Sequence, residues 1–185
     1  EPETGKGNVI RRMFKEIQAD CYILTDGDDT YPADRASDLL REIQEGADMV
    51  IGDRLSTTYY EENKKKIHAF GNRLVQSLIN WLFHADIPDV MTGCRALNRE
   101  FIKRFQPQSH GFEIETEMTV FALQSKMTIR SVPIQYRDRP EGSKSKIHAI
   151  KDGVRILHTI WKMYWRETFG RQKQRNETGV FPGNT

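Results

Sequence analysis

Cysteine is nearly absent: Cys21 and Cys94 are the only two in 185 residues. They show neither metal-ligand spacing nor a disulfide framework, which excludes a cysteine-stapled secreted domain and a thiolate metal site and fits a reducing compartment. An excess of one charge is also lacking. Lys and Arg total 28 against 26 Asp and Glu, a net of +2. That balance excludes a dedicated nucleic-acid binder, which would carry a clearly basic face. No run of about 18 apolar residues occurs, so no segment reads as a membrane span, and no secretory leader pattern is visible. Internal repeats are missing. The first residue is Glu1 rather than Met, and the opening EPETGKGN is polar and loop-like, so the chain is expected to be cut from something longer.

What is present suits one globular domain with its own core: 37% hydrophobic and 29% charged residues. Val9, Ile10, Met13, Phe14 and Ile17 recur at helical spacing and predict an amphipathic helix over 8–19. The apolar run from Cys21 to Thr25 reads as a buried strand. A helix is expected from Ala33 or Asp34 to near Gly46, then a second strand over 48–52. Helix, strand, helix, strand at this spacing predicts a layered α/β fold with parallel strands. Residues 53–65 read as a polar loop, followed by a long helix with Ile67, Phe70, Leu74, Leu78, Ile79 and Leu82 on one face. Further on, 94–98 suits a strand, 99–105 a short helix and 113–125 a helix. Residues 127–136 suit a strand that Pro133 confines to an edge. A charged loop over 137–146 and a last helix over 148–169 complete the pattern. Residues 1–169 are expected to form the domain, and 170–185 a disordered polar tail.

The sharpest local signal is YILTDGDDTYP, Tyr22–Pro32. An apolar strand delivers carboxylates at its C-terminal end, where ligands bind in open α/β sheets. Asp26 and Asp28, two residues apart across Gly27, suit one hard cation. A divalent ion held there would neutralise charge on a diphosphate leaving group. The same residues also suit a solvated acidic turn, with Asp34 capping the next helix. A third reading comes from Asp26-Gly27-Asp28-Asp29-Thr30, which matches the nucleophile motif of haloacid-dehalogenase-type phosphatases, with Gly52-Asp53 mimicking that family's metal motif. The stretch between those elements is too short for the intervening strands and cap, and no lysine occurs between Asp26 and Asp53.

Several blocks then follow in order: GKGNVIRRMF (5–14), the acidic segment, VIGDRL (50–55), HAFGNRL (68–74), DVMTGCRALNREF (89–101), GFEIETEM (111–118) and YRDRPEGSKSKI (136–147), before a helix with Asp152-Gly153. As an ordered set they resemble the family 2 glycosyltransferases of GT-A fold, and within them dolichol-phosphate mannose synthase and the bacterial polyprenyl-phosphate glycosyltransferases. The resemblance covers residue 5 to about residue 165. It implies a Rossmann-like layered sheet with helices on both faces. It also implies transfer of a hexose from a GDP- or UDP-linked sugar to a polyprenyl or dolichyl phosphate, with inversion and with Mg²⁺ or Mn²⁺. The rival reading is a non-catalytic subunit that keeps the fold.

Carried over by position, the resemblance puts Asp26, Asp28 and Thr30 at the metal, Thr30 standing where relatives carry Gln and reaching a cation only through its hydroxyl or a water. Asp29 joins the donor site. Arg54 and Lys66 contact phosphate, and the guanidinium suits bidentate phosphate contact. Thr92, Gly93 and Arg95 line the sugar and acceptor pocket. Arg139, Ser143, Lys144, Ser145 and Lys146 form a basic loop closing over phosphates, with Gly142 giving its turn. Asp89 is a supporting or base residue. Of Glu113, Glu115 and Glu117, one or two approach the site, Glu115 foremost, although carboxylates at a helix start also simply favour its dipole. A phosphate acceptor is already anionic, so positioning and charge stabilisation are expected to outweigh a dedicated base. Relatives open with a Val-Ile-Pro-Ala-Tyr-Asn-Glu strand and a later Asp-Asp-Gly-Ser segment. Neither occurs here, so this chain is expected to lack the N-terminal strands and to be inactive by itself. Ile156, Leu157, Ile160, Trp161, Met163, Tyr164, Trp165 and Phe169 give the last helix more than one apolar face, suited to a membrane interface or to packing on the sheet. The expected location is the cytoplasmic face of a membrane, on its surface or beside a membrane-spanning partner.

Overall fold

The computed structural model describes residues 3–56, 66–137 and 149–177, with the side chains of 66–70, 149, 167 and 169–177 outside that description. Helix α1 runs Lys6–Glu16, earlier than the expected 8–19. Its start is set by two glycines. Gly5 takes φ 130, and Gly7 lets the first turn touch the backbone of 109–110, its N–H donating to the His110 carbonyl at 3.0 Å. A Cβ at Gly7 would lie 2.3 Å from the Ser109 carbonyl oxygen. Its end is set by Tyr22, whose hydroxyl donates to the Ile17 carbonyl at 2.7 Å and accepts from Ala19 N–H at 3.0 Å. Ile17 is thereby held in extended backbone.

Strand β1 (Cys21–Leu24) follows, then a 3₁₀ turn (Ala33–Arg35) and α2 (Ala36–Gln44). Next come β2 (Met49–Asp53) and α3 (Lys66–Phe83). The second half holds β3 (Arg95–Asn98), α4 (Arg99–Arg104), α5 (Ile114–Gln124), β4 (Ile129–Pro133) and α6 (Ala149–Glu177). The sheet order is β1-β3-β2-β4. Strands β1 and β2 point the same way, as expected, but they are not neighbours. Strand β3 lies between them, antiparallel to both, and among the described residues only β2 and β4 pair in parallel. Strand direction has no signature in hydrophobic periodicity, so the expectation of parallel strands holds for β1, β2 and β4 and is corrected for β3. Pro133 ends β4 at the sheet edge, where its missing N–H costs no ladder bond.

Both faces of the sheet are covered, which gives the three-layer α/β architecture. Met49, Ile51 and Leu97 point to the side packed by Ile10 of α1, Val75 and Ile79 of α3, Ile114 and Met118 of α5, and Ile156 and Ile160 of α6. Val50 and Ala96 point to the opposite side, against Leu39 of α2 with Tyr31, Val132 and Ile134. Helix α6 continues through Gly170 to Glu177, past the point where the polar tail was expected to begin. The segment after Gly170 is Arg171-Gln172-Lys173-Gln174-Arg175, all good helix formers.

Arg95 is a core residue, not a pocket lining as expected. It is fully buried. Its guanidinium donates to the carbonyls of Thr92 (3.1 Å) and Val90 (2.5 Å) and to the Thr119 hydroxyl of α5 (2.9 Å). Burial draws its pKa below the ordinary guanidinium value, against the opposing pull of Glu115 and Asp89. The side chain therefore ties β3, the 90–92 loop and α5 together. Arg95→Ala is expected to cost about 3 kcal/mol or more, because it strands buried carbonyls as well as opening a cavity. Urea unfolding that leaves the midpoint unchanged would contradict this role.

Candidate functional site: a carboxylate cleft at the end of strand β1

Strand β1 ends at Leu24 and hands the chain to Asp26. The turn that follows is held from within. Asp29 takes a left-handed φ of 58, and the buried Thr30 hydroxyl donates to Asp28 Oδ1 at 2.6 Å. The Thr30 carbonyl accepts from Arg137 N–H at 2.9 Å. Thr30 thus orients Asp28: it is fully buried, and the hydroxyl through which it was expected to reach a cation, directly or by way of a water, donates to Asp28. Asp28 is half-buried, and Asp29 is exposed.

The centre of the site is a cation absent from the expected set. Lys6 Nζ lies 2.5 Å from Asp26 Oδ1 and 2.5 Å from Glu115 Oε1. Burial alone would lower its pKa, but the Glu115 and Asp26 carboxylates outweigh that and hold it well above the ordinary lysine value. Gly93 closes the other side of Asp26. A Cβ at residue 93 would lie 2.5 Å from Asp26 Oδ2 and 2.8 Å from Lys6 Nζ, so a side chain there would push the carboxylate and the ammonium out of their present positions. Gly93 is itself held by Tyr31, whose buried hydroxyl accepts from Gly93 N–H at 2.9 Å. Burial pushes the Tyr31 phenol far above its usual range, so it stays neutral. The Tyr31 ring meets Tyr136 edge-on at 5.4 Å, and the Arg54 guanidinium sits 5.4 Å over the Tyr136 ring. Burial likewise raises the nearby Cys94 thiol to about 11, which leaves it protonated and unreactive.

Lys6, Asp26, Gly27 and Gly93 line one cleft of about 920 Å³, with Lys151 and Arg155 of α6 across it. Asp26, Gly93 and Glu115 are thus brought together as expected residues, with Asp28 next in the turn. Glu113 and Glu117 turn away. Glu117 accepts from Gln108 and Ser109 N–H at 2.7 and 2.8 Å; Glu113 accepts from His110 and Gly111 N–H at 3.2 and 3.1 Å. Asp89 is fully buried. Its oxygens take Arg54 Nε at 2.7 Å, Arg54 Nη2 at 3.0 Å and Met91 N–H at 3.2 Å. That geometry positions Arg54 and corrects the reading of Asp89 as a base. Thr92, expected to line the sugar pocket, is buried and occupied with Tyr31 and Cys94 N–H. The Lys66 side chain and Arg139, Ser143, Lys144, Ser145 and Lys146 lie outside the described residues. Among the described residues no three His, Cys, Asp or Glu side chains form a ready metal cage.

The Lys6 signal was present in Gly5-Lys6-Gly7. A lysine in the first turn of a helix opposes the positive dipole end, so it requires a carboxylate partner from elsewhere.

Residues 1–105 match the family described as Glycosyl transferase family 2, a match that includes the acidic turn and leaves the phosphatase reading without support. The chain is 34% identical over 160 residues to Glycosyltransferase AglJ of Haloferax volcanii, covering 86% of this chain and 52% of that protein. It is 30% identical over 167 residues to the dolichyl-phosphate hexose transferase of the same organism, covering 90% and 71%. The chain therefore spans about half the length of the first of these relatives. Among solved structures, the glucosyl-3-phosphoglycerate synthase of Mycobacterium tuberculosis, in complex with Mn²⁺, uridine diphosphate and phosphoglyceric acid, shares the fold. Its TM-score is 0.64 at 16% identity, over 88% of this chain and 55% of that one.

Lys6→Met leaves Asp26 and Glu115 without their common cation. The variant is expected to lose about 1–3 kcal/mol at neutral pH. In the unaltered protein the folded-state pKa of Lys6 is raised. Its contribution is therefore fully present below the ordinary lysine value of about 10.4 and is lost only at higher pH. Urea unfolding of both proteins at neutral pH measures the expected loss, and equal midpoints would refute the shared ion pair.

Proposed function

The chain belongs to glycosyl transferase family 2, and on that premise we propose that it transfers a hexose from a GDP- or UDP-linked donor to a polyprenyl or dolichyl phosphate, with inversion. The observation that carries this reading is the acidic turn at the C-terminal end of β1, whose Asp26 and Gly27 share one cleft with the cations Lys6, Lys151 and Arg155, with Asp28 next in the turn. Relatives named for dolichyl-phosphate hexose and dolichol-phosphate mannose transfer support the acceptor class. A fold neighbour solved with Mn²⁺ and uridine diphosphate supports the donor class.

Asp26 and Asp28 would hold Mg²⁺ or Mn²⁺. Two carboxylates, with no third His, Cys, Asp or Glu grouped with them among the described residues, suit a hard cation that takes its remaining oxygens from a diphosphate and water. When bound, such an ion supplies charge neutralisation to the leaving diphosphate. The protein's own groups do the rest. Thr30 fixes the Asp28 carboxylate, Glu115 and Gly93 fix Lys6 against Asp26, and Asp89 holds Arg54. Of the three acids first read as catalytic, Asp28 faces the donor, while Asp89 and Glu115 act as positioning residues. An acceptor phosphate oxygen attacks the anomeric carbon, and the bond to the diphosphate oxygen breaks as the nucleoside diphosphate departs. That oxygen is already anionic, so positioning and charge stabilisation carry the rate. From the resemblance, Lys66 and the basic residues Arg139, Lys144 and Lys146, with Ser143 and Ser145, complete the phosphate contacts. The membrane that carries the acceptor is the implied partner.

In the full-length protein, Asp28→Ala is expected to lower kcat/KM for transfer to a polyprenyl phosphate by about 10²–10³-fold, and chelation of divalent ions should abolish transfer. Undiminished transfer by the variant, or transfer indifferent to chelator, would overturn the proposal.

A further inference from the structure

Helix α6 has one face that the core does not use. Ile150, Val154, Trp161 and Trp165 are 86%, 63%, 42% and 47% exposed. At 100° per residue they fall on one line, with half-buried Leu157 between them. The stripe runs about 22 Å along the helix. Trp161 and Trp165 are stacked on it, with centroids 6.4 Å apart. Immediately beside the stripe, on one flank only, come Lys151, Arg155, His158, Lys162 and Arg166, all exposed. Among the described side chains of α6 the one carboxylate is Asp152, which is buried and lies 3.9 Å from Arg155. The cationic flank forms one wall of a groove of about 650 Å³, closed by Arg104 and His110 on the segment before α5. Glu113 and Glu117 also border this groove; both Glu117 oxygens and Glu113 Oε1 accept from the backbone N–H groups of 108–111, while Glu113 Oε2 is buried without a hydrogen-bond partner.

We propose that this face of α6 docks on an anionic lipid bilayer, with Ile150, Val154, Trp161 and Trp165 in the acyl boundary and Lys162 and Arg166 among the headgroups. Charge selects the occupant. A second copy of the chain laid antiparallel on the stripe would bring cationic flanks near one another, whereas acidic headgroups complement the flank directly. The aromatic content fits as well, since indoles favour the headgroup level. Among the described residues no helix is long and apolar enough to cross a membrane, so the contact is that of a helix lying in the interface plane. The choice of a membrane over other anionic surfaces rests on the lipid-borne acceptor proposed above; the face itself does not.

The test is cosedimentation of the chain with vesicles of phosphatidylcholine alone and of phosphatidylcholine mixed equally with phosphatidylglycerol, with tryptophan emission recorded. Binding to the mixed vesicles is expected, with a blue shift and a decline as salt rises. Trp161→Ser with Trp165→Ser should weaken binding at least about tenfold and remove most of the shift. Lys162→Glu with Arg166→Glu should abolish the preference for phosphatidylglycerol. All four positions are exposed, so unchanged circular dichroism and unfolding midpoints are expected of both variants. Absence of vesicle binding, equal binding to both compositions, or a concentration-dependent dimer dissolved by the tryptophan variant would each overturn the proposal. Asp28→Ala should bind vesicles like the unaltered chain, so failure of docking and failure of the transferase reading are separately visible.

Discussion

One ammonium group holds the cleft in shape. Lys6 stands at the first position of α1, where the helix dipole disfavours a cation, and it is retained there by two carboxylates from distant parts of the chain. Asp26 arrives from the turn after β1, and Glu115 from the first turn of α5. Without the ammonium these acids would face each other in a partly buried site. With it, α1, β1 and α5 share one electrostatic joint. The seat of α1 depends on that joint and on Gly7, which lets the helix start approach the backbone of 109–110 more closely than any side chain would permit.

The rest of the site is arranged around the same pair. Gly93 leaves the volume in which Asp26 and Lys6 meet, and the Tyr31 hydroxyl holds Gly93 in place. Tyr136 packs on Tyr31, and Arg54 lies over Tyr136 while Asp89 grips it from behind. The buried polar groups therefore form a supporting frame, which presents the half-buried Asp26 carboxylate to the cleft and holds Asp28 beside it in the turn through Thr30.

Much of this was legible in the sequence. The apolar run from Cys21 delivered Asp26 and Asp28 to the end of a strand, as the pattern of a buried strand followed by acids implies. The ordered blocks identified the transferase family before any geometry. Three features were not legible. Strand direction leaves no mark on hydrophobic periodicity, so the antiparallel insertion of β3 was missed. Burial of Thr92 and Arg95 was missed because both sit in a motif with polar composition, and only the packing of β3 against α5 shows that the Arg95 guanidinium satisfies backbone carbonyls. The partner of Lys6 was invisible because Glu115 lies more than a hundred positions away; the resemblance put Glu115 foremost among Glu113, Glu115 and Glu117, but nothing tied it to Lys6. The fold separates them: two cap the 108–111 backbone, and one meets the lysine.

The central claim is that the turn after β1, supported by Lys6 and Gly93, receives a metal-bound nucleoside diphosphate. Paramagnetic broadening of backbone amide resonances by Mn²⁺ in the presence of uridine or guanosine diphosphate tests it most directly. The account predicts selective loss of the Gly27, Asp28 and Gly93 signals, with Asp26→Asn restoring them. Broadening centred elsewhere, or broadening of these three amides that persists in Asp26→Asn, would contradict it.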